Sequence, residues 1–174
     1  AGFLIGLLTG VIRTAPKSKN AVLRALHKIV NAIIAVYIEV FRGTPMMVQL
    51  LIMYFVIFAS TRNQIGVAML TFGVNSGAYV AEIIRGGIMG VDKGQMEAGR
   101  SLGMSYVTTM KDIILPQAMK SALPALINEM ITLLKETSIC GYIGLNELTR
   151  GGDIIRGITF DALFPLFTVA LIYL

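Results

Sequence analysis

Glu97-Ala98-Gly99-Arg100-Ser101-Leu102-Gly103, followed after nine residues by Ile113-Ile114-Leu115-Pro116, is a polar, glycine-punctuated island between long apolar segments. A chain that keeps such an island between membrane-spanning stretches holds it outside the bilayer, where it meets something soluble. Gln95 to Leu102 reads as a short helix with Glu97 near its start, where a carboxylate suits the helix dipole. Gly103 can adopt positive φ and end that helix. Met104 to Ile114 reads as a second amphipathic helix, with Met104, Val107, Met110 and Ile114 at helical spacing. Pro116 then kinks the return into the membrane.

The rest of the composition supports a bilayer. Of 174 residues, 55% are hydrophobic and only 14% are charged, and the mean hydropathy is +0.74. An average soluble domain carries roughly 25% charged residues. The expectation is an all-α integral membrane protein, a single domain over residues 1–174. The chain begins at Ala1 inside one apolar run and stops at Leu174 inside another, which reads as truncation at both ends. The net charge of +5 invites a nucleic-acid reading. The basic residues are scattered between apolar runs, so they set membrane topology instead. The single cysteine, Cys140, excludes an internal disulfide and lies in an apolar context. His27, between Arg24 and Lys28, reads as interfacial.

Along the chain, residues 1–12 read as the end of a first span and Arg13 to Asn20 as a turn. Arg13, Lys17, Lys19, Arg24 and Lys28 give that connection five basic residues and no acid, which makes it cytoplasmic. Residues 21–59 are too long for one simple span of about 20 residues. Arg42-Gly43-Thr44-Pro45 divides them, with Thr44 as N-cap and Pro45 in the first turn of a new helix. Ser60 to Gln64 is a short external turn. Residues 65–84 form the next span, and Arg85-Gly86-Gly87 begins the return to the cytoplasm. The fourth span runs from about Lys120 to Tyr142. Residues 144–160 read as polar and external, and the last span begins near Asp161. This makes about five spans, with a cytoplasmic loop over 91–116.

The island carries more than its charge. Glu-Ala-x-x-x-x-Gly, nine residues, then Ile-x-Leu-Pro closely resembles the signature loop of the permease subunits of ABC importers. The stretches at 41–50, 75–88, 91–106, 114–139 and 148–155 resemble the branch for uptake of polar amino acids. Gly99 departs from the alanine common in that loop, and is expected to loosen the helix slightly. The resemblance implies a type I importer fold, with a coupling helix that docks on a cytoplasmic ATPase through Glu97, Ala98, Gly99, Arg100 and Gly103. Ala98 and Gly99 would form the narrow face of close approach, and Glu97 and Arg100 the polar contacts around it. It also implies a dimer of ATPases and a second permease, either another copy or a sister chain. An extracytoplasmic solute-binding protein and the inner membrane of a bacterium complete the expectation. No Gly-x-x-x-x-Gly-Lys-Ser/Thr occurs in the chain, so ATP is bound by the partner and no cofactor is expected here.

Ionisable residues inside spans suggest function. Glu136, beside Thr137 in the fourth span, suits the cationic group of a transported amino acid or a structural pair with a residue on a neighbouring helix. Lys135 points about 100° away and is a poor partner. Asn75 and Tyr79 share a helix face, and with Gln49 they are further candidates for the substrate path. Interhelical hydrogen bonding explains these three equally well. Glu82 with Arg85, and Glu39 with Arg42, read as surface ion pairs at helical spacing. Glu129 is either structural or part of an inner gate. No ligand cluster with metal spacing and no nucleophile–base pair argues for an enzyme. The competing class is a channel or an ATP-independent carrier that uses its loop only for folding.

Overall fold

The computed structural model describes residues 2–14 and 20–174, and among these the regular structure is entirely helical. The turn expected at 15–19 lies outside the described residues. Helix α1 spans Gly2–Thr14 and α2 spans Ala21–Gly43. Helix α3, Met46–Ile52, widens into a π-type turn over Met53–Ile57. Helix α4 spans Gln64–Met89 and α5 spans Lys93–Ser101. Helix α6, Tyr106–Thr109, passes through a π-type turn at Met110–Ile114 into α7, Leu115–Glu136. A 3₁₀ segment, Thr137–Ile143, follows, then α8 at Leu148–Thr159 and α9 at Leu163–Tyr173.

Each of the five expected spans has its helix. By length and composition, α2 and α4 are sufficient to cross a membrane alone, and Gly2–Arg13, Met46–Ile57 and Leu163–Tyr173 are shorter apolar helices. Helix α7 is long enough but carries Lys120, Glu129, Lys135 and Glu136. Most apolar side chains of α2 are exposed, including Val22, Leu26, Ile29, Ile33, Val36 and Val40. Such an apolar surface is a liability in water and is matched by hydrocarbon.

The chain divides into two compact units. One holds Ala1–Gly43 with Gly73–Glu129, the other Thr44–Phe72 with Met130–Leu174. In the first, Val80, Ile84 and Ile88 of α4 pack on Ile114, Ala118, Ala122 and Leu126, a stripe at four-residue spacing along the π-turn and α7. Ile34 and Ile38 of α2 pack on Ala78 and Ala81. Gly2, Gly6 and Gly10 line the face of α1 that meets α4. A Cβ at Gly2 would lie 2.7 Å from the Gly73 carbonyl oxygen, and one at Gly6 2.5 Å from Val80 Cβ. Small residues four apart allow this backbone approach, which lipid-embedded helices use in place of hydrophobic burial. In the second unit, Leu50, Ala68, Cys140 and Ile143 form the core.

Several boundaries differ from expectation. Pro45, extended at φ −63° and ψ 135°, takes the N-cap of α3. Thr44 sits one residue earlier, because the residue before a proline is pushed away from helical angles. Helix α4 runs through Gly86-Gly87 to Met89. Gly87 is there for contact, since a Cβ would lie 2.8 Å from the Ala118 carbonyl oxygen. Pro116 does not break the chain. It is the second residue of α7, and the loosened ladder before it is taken up by the π-turn, where the Leu115 N–H bonds the Met110 carbonyl. Helix α7 therefore starts before Lys120. Residues 144–160 contain α8, which the pair Gly151-Gly152 masks in the sequence. Glu147 caps it, accepting from the N–H groups of Thr149 at 2.6 Å and Arg150 at 2.7 Å.

Candidate functional site

The polar island folds as a closed hairpin of α5 and α6. Asp92 caps α5 by accepting from the Gly94 N–H at 2.7 Å. The helix starts at Lys93, so Glu97 lies in its middle rather than in the first turn. Its C-terminus is sealed by two crossing bonds, from Gly103 N to Arg100 O at 3.1 Å and from Met104 N to Gly99 O at 3.1 Å. That is a Schellman motif, which needs a left-handed residue, and Gly103 supplies it at φ +80°. Arg100 Nη1 also donates to Met104 O at 3.1 Å, holding the turn from outside. Ser105 then caps α6, accepting from the Thr108 N–H at 3.1 Å.

The two arms meet at Gly99 and Thr109. Both are buried, and Thr109 is wholly inaccessible. Glu97, Ala98, Arg100 and Gly103 are exposed. Gly99 therefore faces the other arm, not outward beside Ala98 as expected. A Cβ at Gly99 would lie 2.5 Å from Thr109 Cγ2 and 2.9 Å from Thr109 Oγ1. Met104 lies outside the second helix, and Val107 is 71% exposed where an amphipathic reading buries it. Leu102, which was not singled out from the sequence, is 82% exposed at the tip. The outer surface of the hairpin thus combines Leu102 and Val107 with Glu97 and Arg100. Burial pushes the Tyr106 phenol above its ordinary pKa.

The substrate-path candidates belong to the two units separately. In the first, Asn75 is buried and its Nδ2 donates to the Phe41 carbonyl at 3.0 Å. Tyr79, on the same helix face, lies beneath the Arg42 guanidinium, whose carbon is 5.4 Å from the ring centroid. Glu39 and Arg42 form no ion pair, because Arg42 turns to this ring. Glu82 and Arg85 do pair, and Arg13 of α1 joins them, with Nη1 3.5 Å from Glu82 Oε2. In the second unit, Gln49 is buried, and its Nε2 donates to Thr44 Oγ1 at 2.7 Å and to Thr44 O at 3.0 Å. Those bonds close the first turn of α3. Thr137 Oγ1 donates to Leu134 O at 2.6 Å. Glu136 is half-buried, and no ion pair engages its carboxylate among the described residues.

Residues 2–174 match the family described as binding-protein-dependent transport system inner membrane component. The glutamine transport system permease protein GlnP of Escherichia coli K12 is 41% identical over 177 residues, covering 99% of this chain and 76% of the relative. The arginine transport system permease protein ArtQ of Bacillus subtilis is 40% identical over 173 residues, covering 98% and 76%. Among solved structures, an amino acid ABC transporter crystallised with histidines superposes with a TM-score of 0.82 at 41% identity, covering 99% of this chain and 77% of that one. The methionine ABC transporter MetNI, in an inward facing conformation, shares the fold with a TM-score of 0.75 at 24% identity, covering 99% and 79%. An all-α chain with apolar spans, a sealed polar hairpin and these relatives belongs to the family of inner membrane components of binding-protein-dependent transport systems, and is a permease of the type I ABC importer fold.

Proposed function

We propose that this permease moves polar amino acids, cationic ones among them, into the bacterial cytoplasm, and that a separate ATPase drives it through the hairpin at 95–116. The observation that carries the reading is the hairpin itself. Its turn is locked by a Schellman motif, its two arms are fastened at Gly99 and Thr109, and it still leaves Leu102 82% exposed. A rigid, solvent-facing hairpin with a bare leucine at its tip suits docking into an apolar cleft, where a buried anchor supplies most of the affinity. Glu97 and Arg100 flank that anchor as rim charges, which favour orientation over affinity. Closure of two ATPases would then tilt α4 and α7, which the hairpin joins, and open the path alternately to each side. A second permease chain and an extracytoplasmic solute-binding protein complete the transporter.

Glu136 and Thr137 would line the path at the end of α7, the carboxylate meeting a cationic side chain. An unpaired carboxylate within a span suits a transient cation.

Co-purification tests the docking. Leu102→Asp in the permease, co-expressed with its ATPase, should lose most of the ATPase from the detergent-solubilised complex while the permease itself stays folded and in the membrane. ATPase retained at wild-type stoichiometry would sink the reading of the hairpin as the coupling element.

A further inference from the structure

Two guanidinium groups in the first unit engage a single carboxylate, and a third stands within electrostatic reach of it. Arg85 engages both oxygens of Glu82, its Nε donating to Oε2 at 3.0 Å and its Nη2 to Oε1. Arg13 Nη1 approaches the same carboxylate at 3.5 Å. Arg42 is the third, within electrostatic reach of Glu82 but forming no ion pair among the described residues. Glu82 is already shared between two cations in close contact, so it offsets the charge of Arg42 only in part. The C-terminus of α2 offers only about half a negative charge in return.

Arg42 is exposed on the first unit, against a helix long and apolar enough to cross a membrane. Tyr79, the ring beneath its guanidinium, lies near the midpoint of Gln64–Met89. A cation at that level of a membrane is costly unless it faces a watered interior, and such residues mark substrate paths. Its position is also fixed. Asn75 Nδ2 holds the Phe41 carbonyl, and Tyr37 donates its hydroxyl to the Val74 carbonyl, so the last turns of α2 are tied to α4. The Tyr79 ring takes the guanidinium carbon over its face at 5.4 Å, a contact that uses the π-face of the cation and not its N–H donors. Those donors match a carboxylate two to two.

We propose that Arg42, held over Tyr79, receives the α-carboxylate of the amino acid in transit. This rests on the reading that the permease carries amino acids, and it adds the group that every such substrate shares whatever its side chain. A phospholipid phosphate is the competing occupant, since it presents a similar pair of oxygens.

The test uses the permease–ATPase complex in phosphatidylcholine nanodiscs without binding protein, and measures binding of labelled L-arginine and L-glutamine. Arg42→Gln should weaken both about tenfold, and Arg42→Lys should weaken them less, because a point charge replaces a planar fork. The α-amides of arginine and glutamine, which lack the anionic group, should compete about tenfold less well than the free acids on wild type, and should lose that handicap on Arg42→Gln. Free acids and amides competing equally on wild type would overturn the proposal even if the variants failed to assemble. Amino acid binding unchanged in Arg42→Gln would overturn it alone. Weakening of binding by added phosphatidylglycerol, with acids and amides equal, would assign Arg42 to lipid. Wild type that binds neither amino acid would remove the transport reading itself, and this inference with it.

Discussion

Gly99 decides how tightly the hairpin can close. Helix propensity alone favours alanine over glycine by about 1 kcal/mol. Here the added methyl would sit 2.5 Å from Thr109 Cγ2. Thr109 cannot give way: it is fully buried, its Oγ1 donates to the Ser105 carbonyl at 2.9 Å, and a β-branched side chain is stiff at χ1. Overpacking of this kind costs about 1–3 kcal/mol, so contact outweighs propensity. Gly99→Ala should therefore lower the thermal midpoint of the purified complex, and the pair Gly99→Ala with Thr109→Ser, which removes the nearer methyl but keeps the hydroxyl oxygen at 2.9 Å, should recover part of the loss. A single variant more stable than wild type would show that the arms do not meet as described. The sequence pointed the other way at this residue, toward a looser helix. A contact across a turn, between residues ten apart, leaves no trace in helical periodicity. Gly103 was legible because its role is local.

At the scale of elements, α1 shows what spacing can and cannot say. Its apolar run announces a helix, while its glycines at 2, 6 and 10 decide which face meets α4. Gly6→Leu should separate these helices, since even the Cβ would lie 2.5 Å from Val80 Cβ and 2.8 Å from the Gly77 carbonyl oxygen. The expected result is a fall of several degrees in the thermal midpoint in detergent, with Gly6→Ala intermediate. Equal midpoints for all three proteins would mean that α1 does not dock through this ladder. Helices α2, α4 and α9 were legible because long apolar runs have few alternatives. Helix α8 was not, because Gly151-Gly152 and three charged residues look like a loop until Glu147 is recognised as its cap. The π-turns at Met53–Ile57 and Met110–Ile114 have no composition of their own. The ion pair read between Glu39 and Arg42 failed for a related reason. Helical spacing allowed it, but Arg42 stands over an aromatic face on another helix.

For the whole molecule, the apolar flank of α2, the sealed polar hairpin and the kinship with glutamine and arginine permeases fit a transport permease, driven in our proposal by a separate ATPase. The most direct test is uptake of labelled arginine, histidine, glutamine and glutamate into proteoliposomes holding the complete transporter. Uptake should require both ATP and the ATPase partner, and Glu136→Gln should slow arginine and histidine more than glutamine. Uptake that continued undiminished without the ATPase would contradict the account and leave an ATP-independent carrier in its place.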